Sequence, residues 1–236
     1  MLAFASPTPR SVLTTFSQTM KELVEAQVAK NQPEVIVASE TATAPYVRGF
    51  RAPKVLDDFE AGNVWGRANA KDSSTRLRAR LTWMKGRGYL GDLLRSFEAV
   101  TVVSEQEGRI AAEVAPGYKN VILVPNGVDT EKFKPGMAQA EADSLIYHGA
   151  VTYDANYDAV RFFLEDIYPY ILQERPGTRL LVTGSTKEVD LDALPKYPTV
   201  EFSGFLPDIR PAVAGAWACV VPLREGGGTR LKILEA

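Results

Sequence analysis

The sequence predicts an α/β protein built on two doubly wound parallel sheets. Apolar runs of strand length alternate with amphipathic helical stretches along both halves of the chain. Between the halves, Thr130 to Asp143 holds Pro135, Gly136 and an Ala/Glu-rich run, and reads as a linker. The length of 236 residues and hydrophobic content of 45% suit two small lobes, each with its own core.

The first half opens without a strand from Met1 to Pro9. Val12, Phe16, Met20, Leu23, Val24 and Val28 recur at helical spacing and predict one amphipathic helix over Arg10 to Lys30. A short buried strand follows at Glu34 to Ala38, then a short helix or loop to Gly49, then a strand at Lys54 to Asp58. That strand ends in a carboxylate group, Asp57, Asp58 and Glu60, at the sheet edge where α/β ligands tend to bind. Solvated loop acids or helix caps are the alternative reading. Residues 67–95 are basic, with Arg67, Lys71, Arg76, Arg78, Arg80, Lys85, Arg87 and Arg95 interleaved with Trp83, Tyr89, Leu90, Leu93 and Leu94. Two readings are open: a surface helix with a solvated charged face, or a peripheral contact with an anionic membrane. Strands at 99–104 and 120–124 flank a helix from Glu105 to Val114, and Asn126-Gly127 suits a turn.

The second half repeats the alternation. Strands are expected at Ser144–His148, Arg179–Thr183, Val200–Ser203 and Trp217–Val221, with helices at Asn156–Gln173 and Pro207–Ala214. The last strand runs into Glu225-Gly-Gly-Gly-Thr-Arg-Leu-Lys-Ile-Leu-Glu-Ala236. Thr229 reads as an N-cap, and Leu231 and Leu234 are spaced for one apolar helix face. Strand, glycine loop and helix N-terminus together make an anion site. Arg230 and Lys232 place cations where the helix dipole disfavours them, which points to a phosphate partner, and Glu235 is within reach of sugar hydroxyls. An ordinary strand-to-helix turn with close-packing glycines is the other reading. Gly149, after a strand, is a second place where backbone could approach a phosphate.

The net charge of −2 and a pI near 5.6 give no reason to expect a nucleic-acid partner. The single cysteine, Cys219, excludes an internal disulfide and reads as a small core residue in a reducing compartment. No run reaches the roughly 18 apolar residues of a membrane span, and the N-terminus has no signal-peptide core, so the expected location is the cytoplasm. No G-x-G-x-x-G follows a strand, so a dinucleotide fingerprint is missing, and no Walker loop is present. With one histidine, His148, and one cysteine, a zinc cluster or Cys/His nucleophile pair is not expected. His148 reads as a packed or hydrogen-bonded residue at a strand end, with a proton shuttle as the alternative.

Several stretches, in this order and at this spacing, resemble the family-4 retaining glycosyltransferases of the GT-B fold. They are Val102-Val-Ser-Glu105, Val124-Pro-Asn-Gly-Val-Asp129 with Phe133, Tyr147-His-Gly149 with Asn156-Tyr-Asp-Ala159, and Leu181-Val-Thr-Gly184. Val200-Glu-Phe-Ser-Gly204 with Asp208-Ile-Arg210, and Pro222 to Ala236, complete the set, which covers residues 97–236 well and 10–96 less specifically. The resemblance implies two Rossmann-like lobes. One is an acceptor-side lobe at 1–137; the other is a nucleotide-sugar-binding lobe at 138–236. It also implies a UDP- or GDP-sugar donor as substrate, with no cofactor and no metal, and a glycan or lipid-linked acceptor. Carried over by position, Glu235 matches the acid that binds the donor ribose. Gly228 and Thr229 match the loop at sugar and diphosphate, with Gly226 and Gly227 as further donor-binding candidates in that loop, and Gly204 and Phe205 match the loop beside the base.

The departures from the family pattern are specific. The first acid of the Glu-x7-Glu pair falls on Gly227, with Glu225 two residues earlier as a candidate substitute. The usual cations after Gly149 fall on Ala150 and Ala155, leaving Arg230 and Lys232 to supply the charge. The acceptor-side histidine has no counterpart, and Asp57, Asp58 and Glu60 occupy that neighbourhood. The family pattern leads one to expect a glycine-rich strand and loop before residue 10 and closing helices after 236. The chain therefore reads as a fragment, with the N-terminal lobe incomplete and the C-terminal lobe cut short at residue 236. The implied activity is hexose transfer with retention in cell-envelope polysaccharide synthesis. A binding-only remnant and a GT-B-like nucleotide-sugar epimerase remain as alternatives.

Overall fold

The computed structural model describes residues 8–69, 76–224 and 229–236, without the side chains of residues 10, 11, 63, 67, 69 and 76–79. It divides into two compact units: residues 1–126 with 227–229, and residues 127–226 with 230–236.

The first unit holds a four-stranded parallel sheet of β1 (Ile36–Ser39), β2 (Lys54–Asp57), β3 (Ala99–Val102) and β4 (Val121–Leu123), side by side in chain order. Alternation sets which face is covered: Ile36, Ala38, Leu56, Val100 and Val102 point into the core, whereas Val37 is exposed. Helices α4 (Gly62–Asn69), α5 (Arg76–Leu94) and α6 (Glu105–Val114) add Ala68, Trp83, Leu93, Leu94, Ile110 and Val114. Burying each large side chain contributes about 1.5–3 kcal/mol. Ser104 caps α6 by accepting from the Glu107 N–H. The fully buried Glu107 carboxylate accepts the backbone N–H groups of Ala61 (2.9 Å) and Gly62 (3.0 Å), orphan donors where α4 begins. Burial pushes its pKa up against those hydrogen bonds.

The single helix expected over Arg10 to Lys30 is two, α1 (Arg10–Thr15) and α2 (Gln18–Asn31). The Ser17 hydroxyl oxygen caps the second by accepting from the Met20 N–H. Of that apolar stripe, Val24 and Val28 pack on the core, while Met20 and Leu23 stay exposed. A one-turn helix, α3 (Ala44–Val47), lies between β1 and β2.

The second unit is also a four-stranded parallel sheet, in the order β7-β6-β5-β8, of β5 (Glu141–His148), β6 (Arg179–Thr183), β7 (Val200–Gly204) and β8 (Ala216–Cys219). Part of the segment expected as linker, Glu141 to Asp143, belongs to β5, where Glu141 pairs with Ala216 ahead of an irregularity that ends at Leu145. The helix expected over Asn156–Gln173 is interrupted: α7 (Asp154–Phe162) passes through a π-helical turn at Phe163–Ile167 into α8 (Tyr168–Glu174). Pro169 explains the break, because it has no N–H to donate and its ring crowds the preceding carbonyls. Tyr147, Leu164, Tyr168, Leu180 and Val182 form the core of this unit. The remaining helices are short, α9 (Arg210–Gly215) and α10 (Leu231–Glu235).

Strand order positions the site. From β5 the chain adds β6 and then β7 on one side, and then crosses to place β8 on the other side of β5. The winding direction therefore reverses between β5 and β8. The carboxyl ends of strands flanking such a reversal diverge and leave a crevice, where α/β sheets bind ligands. Those ends are His148 and Cys219.

Candidate functional site

At the end of β5 the chain must turn away from the sheet edge without blocking it. Gly149 does so at φ +148°, a conformation that disfavours a side chain. Its N–H donates to the Thr183 carbonyl, and Val151 donates to Ser185, so the turn is tied to the end of β6. Gly184, at φ +114°, lies so close that a Cβ built on it would stand 2.5 Å from the carbonyl carbon and oxygen of Gly149. Asn156, in the first turns of α7, clamps the same loop: its Nδ2 donates to the Ala150 carbonyl (2.9 Å) and its Oδ1 accepts the Tyr147 hydroxyl (2.7 Å). Ala155, where the resemblance looks for a cation, is buried.

Lys232 supplies a cation at that turn. Its Nζ sits 4.1 Å from the centroid of the Tyr147 ring and 3.4 Å from Asn156 Oδ1. A Cβ on Gly149 would stand 2.9 Å from it. Burial pushes the Lys232 pKa down to about 8, with Arg230 adding repulsion and Cys219 and Glu235 opposing. Tyr147 is shifted the other way, its phenol kept protonated chiefly by burial.

Glu235, one helical turn from Lys232, meets the sheet at His148: Oε2 lies 3.0 Å from Nε2 of the buried imidazole. Burial lowers the His148 pKa despite the pull of Glu235. Cys219 Sγ stands 3.6 Å from the other ring nitrogen, and burial raises the thiol's pKa. His148 is thus the packed, hydrogen-bonded strand-end residue that the sequence favoured. Cys219 is half-buried and faces the crevice rather than the middle of the core.

The structure corrects the expected geometry of the final helix. It begins at Leu231, not Thr229; the N-cap residue is Arg230, and no side chain caps it. Thr229 falls with the first unit, where its hydroxyl donates to the Val103 carbonyl. Leu231 and Leu234 are exposed rather than forming a buried face. A helix of five residues carries little dipole, so the contribution of α10 at the Gly149 turn is its side-chain cation, Lys232. Gly204 ends β7 at φ +72°, and Phe205 beyond it is 75% exposed. Glu225, Gly226, Gly227 and Gly228 lie outside the described residues.

In the first unit, Asp57 closes β2 and its Oδ1 accepts the Thr101 hydroxyl (2.6 Å), whose oxygen in turn accepts the Asp58 N–H (2.9 Å). Asp58, at φ +58°, and Glu60 line an open cleft of about 220 Å3 with Glu40, Thr41 and Ala42. Among the described residues no group of three or more His, Cys, Asp or Glu side chains is arranged to hold a metal ion.

The Tyr147–Asn156–Lys232 and Cys219–His148–Glu235 contacts escaped the sequence reading. Tyr147-His-Gly149 and Asn156 stood out in the resemblance, but their contacts with Cys219, Lys232 and Glu235 depend on where β8 pairs and where α10 lands.

The architecture is shared with solved structures. Sucrose-phosphate synthase from Thermosynechococcus elongatus superimposes with a TM-score of 0.71 at 16% identity, over 97% of this chain and 60% of that one. Anabaena HepE in complex with UDP and glucose gives 0.55 at 15% identity, over 84% of this chain and 55% of that one. The same protein in complex with UDP alone gives 0.52 at 14%. This chain therefore spans somewhat more than half the length of the proteins whose fold it shares. No curated protein sequence matches it. The two parallel sheets, each of four strands, thus resemble the GT-B glycosyltransferase architecture, and residues 142–236 match the family model of the group 1 glycosyl transferases.

Proposed function

We propose that the protein is a glycosyltransferase that moves a hexose from a nucleotide-sugar donor to a glycan or lipid-linked acceptor with retention, in cell-envelope polysaccharide synthesis. The observation that carries the reading is the placement of the Lys232 ammonium at the Gly149 turn, with Glu235 beside it, at the carboxyl edge where the second sheet reverses. HepE was solved with UDP and glucose, which supports a UDP-sugar as the first donor to try.

In this reading residues 138–236 hold the donor and residues 1–137 the acceptor. Lys232 and Arg230 are the catalytic cations, neutralising the diphosphate as it leaves. Gly149 and the loop of Gly226, Gly227, Gly228 and Thr229 approach the phosphates and sugar, Glu235 accepts the ribose hydroxyls, and Gly204 and Phe205 border the base. Glu225, Asp57 and Asp58 are candidate contacts for sugar or acceptor. Retention without a protein nucleophile requires attack from the face the diphosphate leaves, so charge builds on the leaving group and electrostatic stabilisation does most of the catalysis. Arg230→Ala and Lys232→Ala should each cost roughly a hundredfold to a thousandfold in turnover of labelled UDP- or GDP-hexose. Unchanged turnover in both would remove the assigned role. Nucleotide binding without turnover would favour a binding-only protein, and an epimerised sugar nucleotide formed without acceptor would favour an epimerase.

A peripheral membrane contact at the cytoplasmic face, through residues 67–95, fits the same reading. On α5, Arg80 and Arg87 are exposed beside Leu81 (59% exposed) and Met84 (70%). Among the described residues no helix is long and apolar enough to cross a membrane. Flotation with phosphatidylglycerol vesicles should recover the protein, and Leu81→Ser with Met84→Ser should abolish recovery. Equal recovery of variant and parent would exclude this segment as the contact.

A further inference from the structure

His148 is 7% exposed, yet both ring nitrogens have a polar neighbour: Nε2 is 3.0 Å from Glu235 Oε2 and Nδ1 is 3.6 Å from Cys219 Sγ. The three side chains come from β5, α10 and β8, so the arrangement is tertiary rather than local. Burial holds the imidazole neutral and keeps the proton on the thiol. A neutral imidazole has one N–H and one acceptor nitrogen. A carboxylate only accepts, so the N–H belongs on Nε2, pointing at Oε2. Nδ1 is then the acceptor, and the thiol is the donor that faces it. Cys219 S–H to Nδ1, then Nε2–H to Oε2, places every proton in the chain.

The consequence falls on Glu235. Its side chain is 27% exposed, on a helix of five residues, and a glutamate in that position is free to rotate unless something holds it. The hydrogen bond from His148 engages Oε2 alone. We propose that His148 is a positioning residue of the donor site. It fixes Oε2 so that Oε1 is presented to the vicinal hydroxyls of a nucleoside diphosphate's ribose, and Cys219 fixes which ring nitrogen carries the proton. The proposal rests on the reading that Glu235 contacts that ribose. A carboxylate ordered before the ligand arrives loses less freedom on binding, which is how a residue that never touches the ligand gains control of its affinity.

Two measurements on the 236-residue chain test this. His148 is the only histidine, so a long-range 1H–15N imidazole spectrum reports on it alone. The Nε2–H tautomer is expected in the parent, with Nδ1–H gaining population in Cys219→Val; an Nδ1–H tautomer or an imidazolium in the parent at pH 7.5 overturns the proposal without any ligand. The second measurement is calorimetric titration with UDP, GDP and their 2′,3′-dideoxy counterparts. His148→Phe should weaken binding of the hydroxylated ligands by about tenfold and leave the dideoxy ligands unchanged, and His148→Gln, which keeps an amide donor, should recover most of the loss. Equal losses for both ligand types, or for Phe and Gln variants alike, would make His148 a packing residue and overturn the proposal. Glu235→Ala separates the two layers. If it leaves the preference for the hydroxylated ligand intact, the ribose reading fails and the proposal with it. If it removes that preference while a folded His148→Phe keeps it, the positioning role alone fails.

Discussion

Gly184→Ala is expected to destabilise the second unit by about 3 kcal/mol, read by urea or thermal unfolding. The added methyl carbon would stand 2.5 Å from the carbonyl carbon and oxygen of Gly149 and 2.7 Å from the Ala150 nitrogen. Those are backbone atoms, held by hydrogen bonds from Gly149 to Thr183 and from Val151 to Ser185, so they cannot swing aside as a side chain does. The φ of +114° adds strain of its own. Gly204→Ala separates the two causes. It shares the left-handed backbone, at φ +72°, but has nothing within 4 Å of the new carbon, so it should cost about 1 kcal/mol. Equal stability of Gly184→Ala and the parent would mean that the Gly149 turn is looser than described, and with it the floor of the proposed phosphate site.

The second large effect concerns Lys232 and pH. Its folded pKa is held at about 8, against about 10.4 in an unfolded chain. Between those values the unfolded chain binds the extra proton, so stability rises with pH through that window; Lys232→Met should lose that rise. Affinity for a diphosphate moves the opposite way. The ligand needs the ammonium, and above pH 8 the apo site must first take up a proton. Affinity for UDP or GDP should therefore fall above pH 8, approaching tenfold per pH unit in the limit. Lys232→Arg, charged throughout, should flatten the profile, and Lys232→Met should be weak at every pH. Calorimetry in buffers of different ionisation enthalpy would show the proton uptake directly. A flat profile in the parent chain would remove Lys232 from the site.

Much of the fold was legible because it depends on local pattern. The helix Glu105–Val114 and the strand Arg179–Thr183 stand where their periodicity and bounding residues put them. The errors have physical causes that periodicity does not record. A serine hydroxyl at position 17 starts a new helix inside an unbroken apolar stripe, and Pro169 forces a π-turn into what reads as one helix. Thr229 has the chemistry of an N-cap, but its hydroxyl goes to the Val103 carbonyl and the helix starts two residues later.

The candidate site divides in the same way. Gly149, Lys232 and Glu235 could be singled out because a glycine after a strand and a cation after a glycine loop suit a phosphate, and because Glu235 falls on an acidic position of the family it resembles. The partnership of Glu235 with His148 spans 87 positions of sequence. It exists only because β8 pairs with β5 and carries the chain back to that strand's end. The low pKa of Lys232 has the same origin, since it comes from burial against Tyr147 and the Gly149 turn. Neither is written in any short stretch of residues.

The measurement that most directly tests a donor site at the carboxyl edge of the second sheet is the thermal midpoint of the chain, with and without UDP, GDP and their hexose conjugates. A ligand at roughly 100 times its Kd adds about 2.7 kcal/mol to the folded state. A clear upward shift is expected with one base series, lost in Glu235→Ala and sharply reduced in Lys232→Met. A folded parent chain with no shift, or a shift that both variants keep in full, would contradict a donor site at that edge.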